Sequence, residues 1–300
     1  MEWWILLVVV AQFLFAIVTL IDKYLVSHPT LPRPAVYAFY VSLLSSVALL
    51  VLPFVSIEVP DPYVAGFALL SGVAYVISIL LLYSALQRAD ASDVVPVVGV
   101  AAAITTFVLR FYFIDETLPA NFAWRFLFLI IGTALISHYR FRWRGLSMVV
   151  LSGILMGVST MFVKVVFLNT GVGVDGFING FFWTRMANVL AGLGLLLWPP
   201  TFYAVVSYER KAARRGARYI VANKTLAGVA FLFVLVAINL GDVSLVNALA
   251  GIQYVFLLVL AFLLSKRLPQ FFRDAQTSYG LAQKGVAIAI IVTGFFVLFL

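Results

Sequence analysis

About ten stretches of mainly apolar residues, each near the ~20 needed to cross roughly 30 Å of hydrocarbon, follow one another through this chain with short polar, Pro or Gly interruptions. They lie near 3–21, 35–55, 63–86, 94–114, 122–138, 146–168, 177–198, 219–240, 244–265 and 285–300. A backbone surrounded by lipid has to satisfy its own N–H and C=O groups, which leaves only helices or a closed barrel. The stretches lack the polar–apolar alternation of a barrel strand, so helices are expected. The expected fold is therefore an all-α integral membrane protein of about ten transmembrane helices.

Composition agrees. Of the 300 residues, 64% are hydrophobic and 11% charged, which leaves little chain for a water-soluble domain beyond the connection at 199–218. The first stretch carries Glu2 in place of a basic leader and Asp22-Lys23 in place of a small-residue cleavage site, so it reads as a retained span. With no Cys, disulfides and thiol chemistry are excluded, and His28 with His138 cannot make a histidine metal cluster. No cofactor or metal is expected.

The net charge of +8 is distributed by loop. Basic residues gather in alternate loops, at Lys23 and Arg33, Arg88, Arg140 to Arg144, Arg210 to Lys224, and Lys266 to Lys284. The intervening loops hold Glu58, Asp61, Asp175 and Asp242. By the positive-inside rule the basic set faces the cytoplasm, with both termini outside. The charge thus describes a partner of lipid bilayer and an orientation within it, with no nucleic acid implied.

Three pairs of segments recur in the same order. Thr19-Leu20-Ile21-Asp22-Lys23 is echoed by Thr160-Met161-Phe162-Val163-Lys164, and Ala91-Ser92-Asp93-Val94 by Val243-Ser244-Leu245-Val246. The ending Asp115-Glu116-Thr117-Leu118-Pro119 is echoed by Ser265-Lys266-Arg267-Leu268-Pro269. Two five-helix units, 1–142 and 143–300, are expected. A unit that crosses an odd number of times enters from opposite sides in its two copies, so the repeats are inverted and a solute path runs between them near mid-depth. Such symmetry gives two oppositely facing states similar energies, the condition for alternating access.

The run Ala85-Leu86-Gln87-Arg88-Ala89-Asp90-Ala91-Ser92-Asp93-Val94-Val95-Pro96, with the acidic Leu-Pro ending at Glu116, resembles the EamA-like ten-helix branch of the drug/metabolite transporter superfamily. The resemblance covers the whole chain in span number and order. It implies transport of a small organic metabolite, amino acids and related anionic or zwitterionic solutes first, by a multi-pass protein of the inner (plasma) membrane, with export the direction implied. It leaves open a lipid-linked sugar or nucleotide-sugar cargo, and a homodimer. Through it, Glu116 matches the acidic residue closing the fourth helix, and Lys23 and Lys164 match a basic position late in the first helix of each half. Arg185 matches an Arg in the second helix of a repeat, where the first half has Tyr40. Lys266 stands where a second Glu is usual.

Ionisable residues inside spans are costly and tend to face a cavity or a partner. Arg185 lies deepest and, with its planar fork, fits a carboxylate-bearing solute; a carbonyl or carboxylate between helices is the competing partner. Lys164 joins it as a second cationic candidate, although a turn from its helix end it can snorkel. Glu116 is a candidate for proton coupling, with a loop tie as the bland reading, and Arg110 is expected to pair along its own helix with Asp115 or Glu116. Tyr40, Tyr83, Asn188, Asn247 and Gln253 offer hydrogen bonds to a solute or between helices. Trp183, unlike the Trp residues near span ends, sits beside Arg185 and is expected on the path. Gly153 with Gly157, and Gly192 near Asn188, have the spacing of close helix contacts. The Gly171-to-Gly176 run follows no strand and is read as a turn between spans, not a dinucleotide site.

An enzyme is the rival class. The chain has no Asp-x-x-Asp-Asp, His-Glu-x-x-His or Gly-x-Ser-x-Gly pattern, and its acidic residues are scattered over loops, so no catalytic residues are assigned.

Overall fold

The computed structural model describes residues 3–26, 34–89, 91–114, 124, 126–128, 130–131, 143–207, 210–264, 286, 290 and 293. Every regular element among the described residues is helical. The first half contributes α1 (Trp3–Val26), α2 (Pro34–Leu44) running into a 3-10 helix (Ser45–Val51), α3 (Pro62–Leu86) and α4 (Ala91–Phe113). The second contributes α5 (Trp143–Asn169), α6 (Gly173–Gly194) with a 3-10 turn (Leu195–Leu197), and the short α7 (Pro199–Val206). It continues with α8 (Arg210–Leu240), α9 (Val243–Leu249) and α10 (Ile252–Leu264).

Seven of these helical stretches are long and apolar enough to cross a membrane, from Trp3–Asp22 to Val221–Leu240. The fifth and tenth expected spans fall largely outside the described residues. The ninth is not one helix: α9 and α10 are separated by a turn at Ala250-Gly251. There the backbone bonds shorten to three-residue reach, with the Ala250 N–H donating to the Asn247 carbonyl and the Gly251 N–H to that of Ala248. Such interruptions in a membrane helix persist where neighbouring helices shield the freed carbonyls, and Ala248, Leu249 and Gly251 are all buried. The fourth helix also differs from expectation. It begins at Ala91, so Pro96 lies inside it instead of opening it.

Local chemistry sets the helix ends. Asp61 accepts from the Val64 N–H at 2.9 Å with Pro62 in the first turn of α3, and Asp242 accepts from the Ser244 and Leu245 N–H groups at 2.8 and 3.0 Å to start α9. Within spans, hydroxyls fold back on their own helix: Ser42 donates to the Ala38 carbonyl, Ser84 to Leu80 and Thr105 to Ala101. Ser78 and Ser152 bond across helices instead, each hydroxyl donating to the other residue's carbonyl at 2.7 and 2.9 Å.

The two halves meet along most of their length. α3 packs along α5 and α6, α4 along α5 and α9, and α1 along α8 and α10. Small residues set how closely. A Cβ at Gly153 would lie 2.6 Å from the Val98 carbonyl oxygen and one at Gly157 2.6 Å from that of Ala102, so α4 and α5 touch main chain to main chain. Gly192 instead faces the Ser42 side chain, whose Cβ would lie 2.5 Å from an added Cβ, across α6 and α2. At Gly72 the neighbours are the Ala187 carbonyl and the Asn188 nitrogen, which draws α3 against α6 where the candidate site lies.

Candidate functional site

Arg185 lies at the centre of the span Gly173–Leu197, and the spans Pro62–Leu86 and Val221–Leu240 bring Tyr75 and Phe231 to the same depth. The Arg185 guanidinium sits 4.7 Å from the centroid of the Phe231 ring, and Tyr75 packs against that ring at 5.9 Å. Arg185 is 7% exposed, and among the described residues its Nε has no hydrogen-bond partner. One turn along α6, Asn188 is 1% exposed with its Nδ2 likewise unpartnered. Three residues apart on a helix, the two side chains share a face. A cation–π contact offsets part of a buried guanidinium's desolvation, up to ~2 kcal/mol, but leaves its directional N–H groups unused. Each unmade buried donor costs ~1–3 kcal/mol. Arg185 and Asn188 thus place two donors on one face of α6 with no acceptor among the described residues, at the middle of the span.

The other sequence candidates divide. Lys164 is buried and donates to the carbonyls of Asn239 and Gly241, both at 3.1 Å, so it caps the end of α8. Asn247 donates to the Thr160 hydroxyl at 2.8 Å, and Gln253 to that of Thr19 at 2.8 Å; both bridge helices. Tyr40 is 42% exposed with its ring against Phe39, away from Arg185. Trp183 donates its indole N–H to the Glu58 carbonyl at 2.9 Å. It lines a cavity of about 310 Å³ with Glu58, Asp61, Asn169, Thr170 and Asn179, at the end where α3 and α6 begin. Glu116 lies outside the described residues. Arg110 pairs with Asp242 across helices; its helical neighbours Asp115 and Glu116 are outside the described residues.

One buried constellation was missed by sequence reasoning. Asp22, the last residue of the span Trp3–Asp22, is 8% exposed and accepts from Tyr37 Oη at 2.6 Å, Asn223 Nδ2 at 2.8 Å and Lys224 Nζ at 2.8 and 2.9 Å. The Lys224 ammonium also stands 4.7 Å from the Tyr37 ring centroid and 5.6 Å from that of Tyr83, whose hydroxyl it reaches at 3.5 Å. Tyr83 therefore belongs here, about two turns along α3 from Tyr75. The signal was present: Asp22 ends an apolar run and Lys224 stands inside the eighth one, 219–240, but each lies near a charged loop and reads as part of it.

The class defined by this architecture is a multi-pass helical membrane protein with polar groups enclosed between its halves. Residues 2–138 match the model of the EamA-like transporter family, in agreement with the drug/metabolite transporter superfamily, and this match points to a membrane transporter of small solutes. An uncharacterized protein of Methanocaldococcus jannaschii is 36% identical over 89 residues, 30% of this chain and 64% of that relative's length. A crystal structure aligns over 97% of this chain and 94% of its own with a TM-score of 0.59 at 19% identity, which establishes a common fold alone.

Proposed function

We propose that the chain is a secondary carrier of a small carboxylate-bearing metabolite, an amino acid or a related anionic or zwitterionic solute, held at mid-depth by Arg185 and Asn188. The observation that carries this is the pair of buried donors on one face of α6 without acceptors among the described residues. A carboxylate supplies two acceptor oxygens and one negative charge, matching a guanidinium Nε–H and an amide N–H. Phe231 and Tyr75 give the apolar part of such a solute an aromatic wall. The site lies between two inverted five-helix units, 1–142 and 143–300, of a ten-helix protein of the plasma membrane that exports its solute by alternating access. One feature supports the repeat: α2 and α6, second helices of their halves, both loosen into 3-10 turns at their ends.

The test is ligand-induced stabilisation of the purified protein against a library of carboxylate metabolites. A solute at 100 times its Kd raises stability by ~2.7 kcal/mol, a clear rise in unfolding temperature. The wild type is expected to respond to at least one carboxylate, and Arg185→Gln to lose the response. The reading fails if no carboxylate stabilises the wild type, or if the variant responds equally.

A further inference from the structure

The polar groups at the two ends of the molecule are built differently. At the end where α3 and α6 begin, a cavity of about 310 Å³ opens between those helices. The partly buried carboxylate there, Asp242, is held by its own helix: it caps α9 through two main-chain N–H groups besides pairing with Arg110. At the opposite end, where Arg88 follows α3 and the basic stretch Arg210 to Lys224 opens α8, Asp22 has no such local duty. Among the described residues, its hydrogen bonds come from side chains of other helices, Tyr37 on α2 and Asn223 with Lys224 on α8. The Lys224 ammonium lies over the Tyr37 and Tyr83 rings, which meet edge to face at 4.6 Å. Four helices, three from the first half and one from the second, are thus drawn together by one buried charge pair.

We infer that Asp22 and Lys224, with Tyr37 and Tyr83, form a charge lock that closes the basic end of the solute path, and that its separation opens the path to that side. The lock rests on the transport reading, since a protein without a path has nothing to close. A buried pair suits this role because it has two discrete states: in place, each charge is satisfied by the other, and apart, each needs water, which only an opened vestibule supplies. If α8 separates from α1, Asn223 and Lys224 leave Asp22 together, so the charge pair breaks in one step and the Tyr37 bond from α2 remains. Asp242 differs, because it keeps two main-chain N–H groups of its own helix α9 whatever Arg110 does.

The test uses the chain's lack of Cys. Val18 is buried one turn before Asp22 on the same face of α1, and Val18→Cys places a unique thiol behind the lock. In sealed vesicles, a membrane-impermeant maleimide is presented to one face at a time. The double change Asp22→Asn with Lys224→Met removes the attraction and leaves no unpaired buried charge, so the fold is retained. Labelling from the basic face is expected to accelerate about tenfold in this background, as a shift in a two-state closure produces, with labelling from the other face unchanged. An unchanged rate from the basic face overturns the lock, and so does equal acceleration from both faces, which reports general loosening. Transport and lock fail separately: labelling that responds as expected in a protein binding no carboxylate removes the transport reading, whereas a bound carboxylate with unresponsive labelling removes the lock alone.

Discussion

Replacing Gly72 by Ala tests whether the α3–α6 seam positions the site. The added Cβ would stand 2.5 Å from the Ala187 carbonyl carbon, 2.6 Å from its oxygen and 2.9 Å from the Asn188 nitrogen. Carbon atoms in contact rest at ~3.5–4.0 Å, so the helices must part by about 1 Å. All three neighbours are main chain and cannot swing aside as a side chain does. Gly66 on the same helix is the control, because a Cβ there meets nothing within 4 Å. Both replacements gain the same helix propensity, up to ~1 kcal/mol, so that contribution cancels between them. What remains is the overpacking cost, ~1–3 kcal/mol against Gly72→Ala. Thermal unfolding of both variants in one detergent measures it. The displaced turn carries Asn188 and follows Arg185, so Gly72→Ala is also expected to weaken solute binding while Gly66→Ala leaves it intact. Equal stability of the two variants would refute the close seam.

Other expectations follow from single contacts. Lys164→Met strips two carbonyls at the end of α8 of their donor and is expected to cost ~1–3 kcal/mol in unfolding free energy; no loss of stability would mean the cap is idle. For the reciprocal Ser78–Ser152 bonds, a double-mutant cycle to Ala is expected to give a coupling near ~0.6 kcal/mol and below ~1.7, and additivity would contradict the pairing. Tyr254→Phe removes the hydroxyl that donates to the Val95 carbonyl at 2.5 Å beside Pro96, and a loss of ~0.5–1.5 kcal/mol is expected in the same assay.

The helical membrane architecture was legible because hydropathy reads the solvent directly: a 20-residue apolar run has few alternatives in lipid. Gly153, Gly157 and Gly192 were legible too, since four-residue spacing puts small residues on one face and a neighbouring helix fills the groove, with backbone at Gly153 and Gly157 and the Ser42 side chain at Gly192. The break at Ala250-Gly251 was hidden, because both residues are small and apolar and leave the run uninterrupted; only the partners shielding the freed carbonyls reveal it. Arg185 stood out by depth alone. Asn188 was one of several neutral polar residues in spans, and what separates it from Asn247 and Gln253 is that they have acceptors and its Nδ2 has none among the described residues. Pairing over long separations is what single-sequence reading cannot supply. Lys164, at a helix end, reads equally as a site residue or a cap, and Asp22 finds Lys224 about 200 positions away in the chain.

The central claim, a carrier that grips a carboxylate through Arg185, is tested most directly by counterflow in proteoliposomes. Vesicles are loaded with the solute that stabilises the purified protein, and entry of trace label is followed with no ion gradient imposed. The wild type is predicted to accumulate label transiently and saturably, and Arg185→Gln, still folded and monodisperse, to remain at the level of protein-free vesicles. Counterflow by Arg185→Gln equal to wild type, or none by the wild type, would contradict the account.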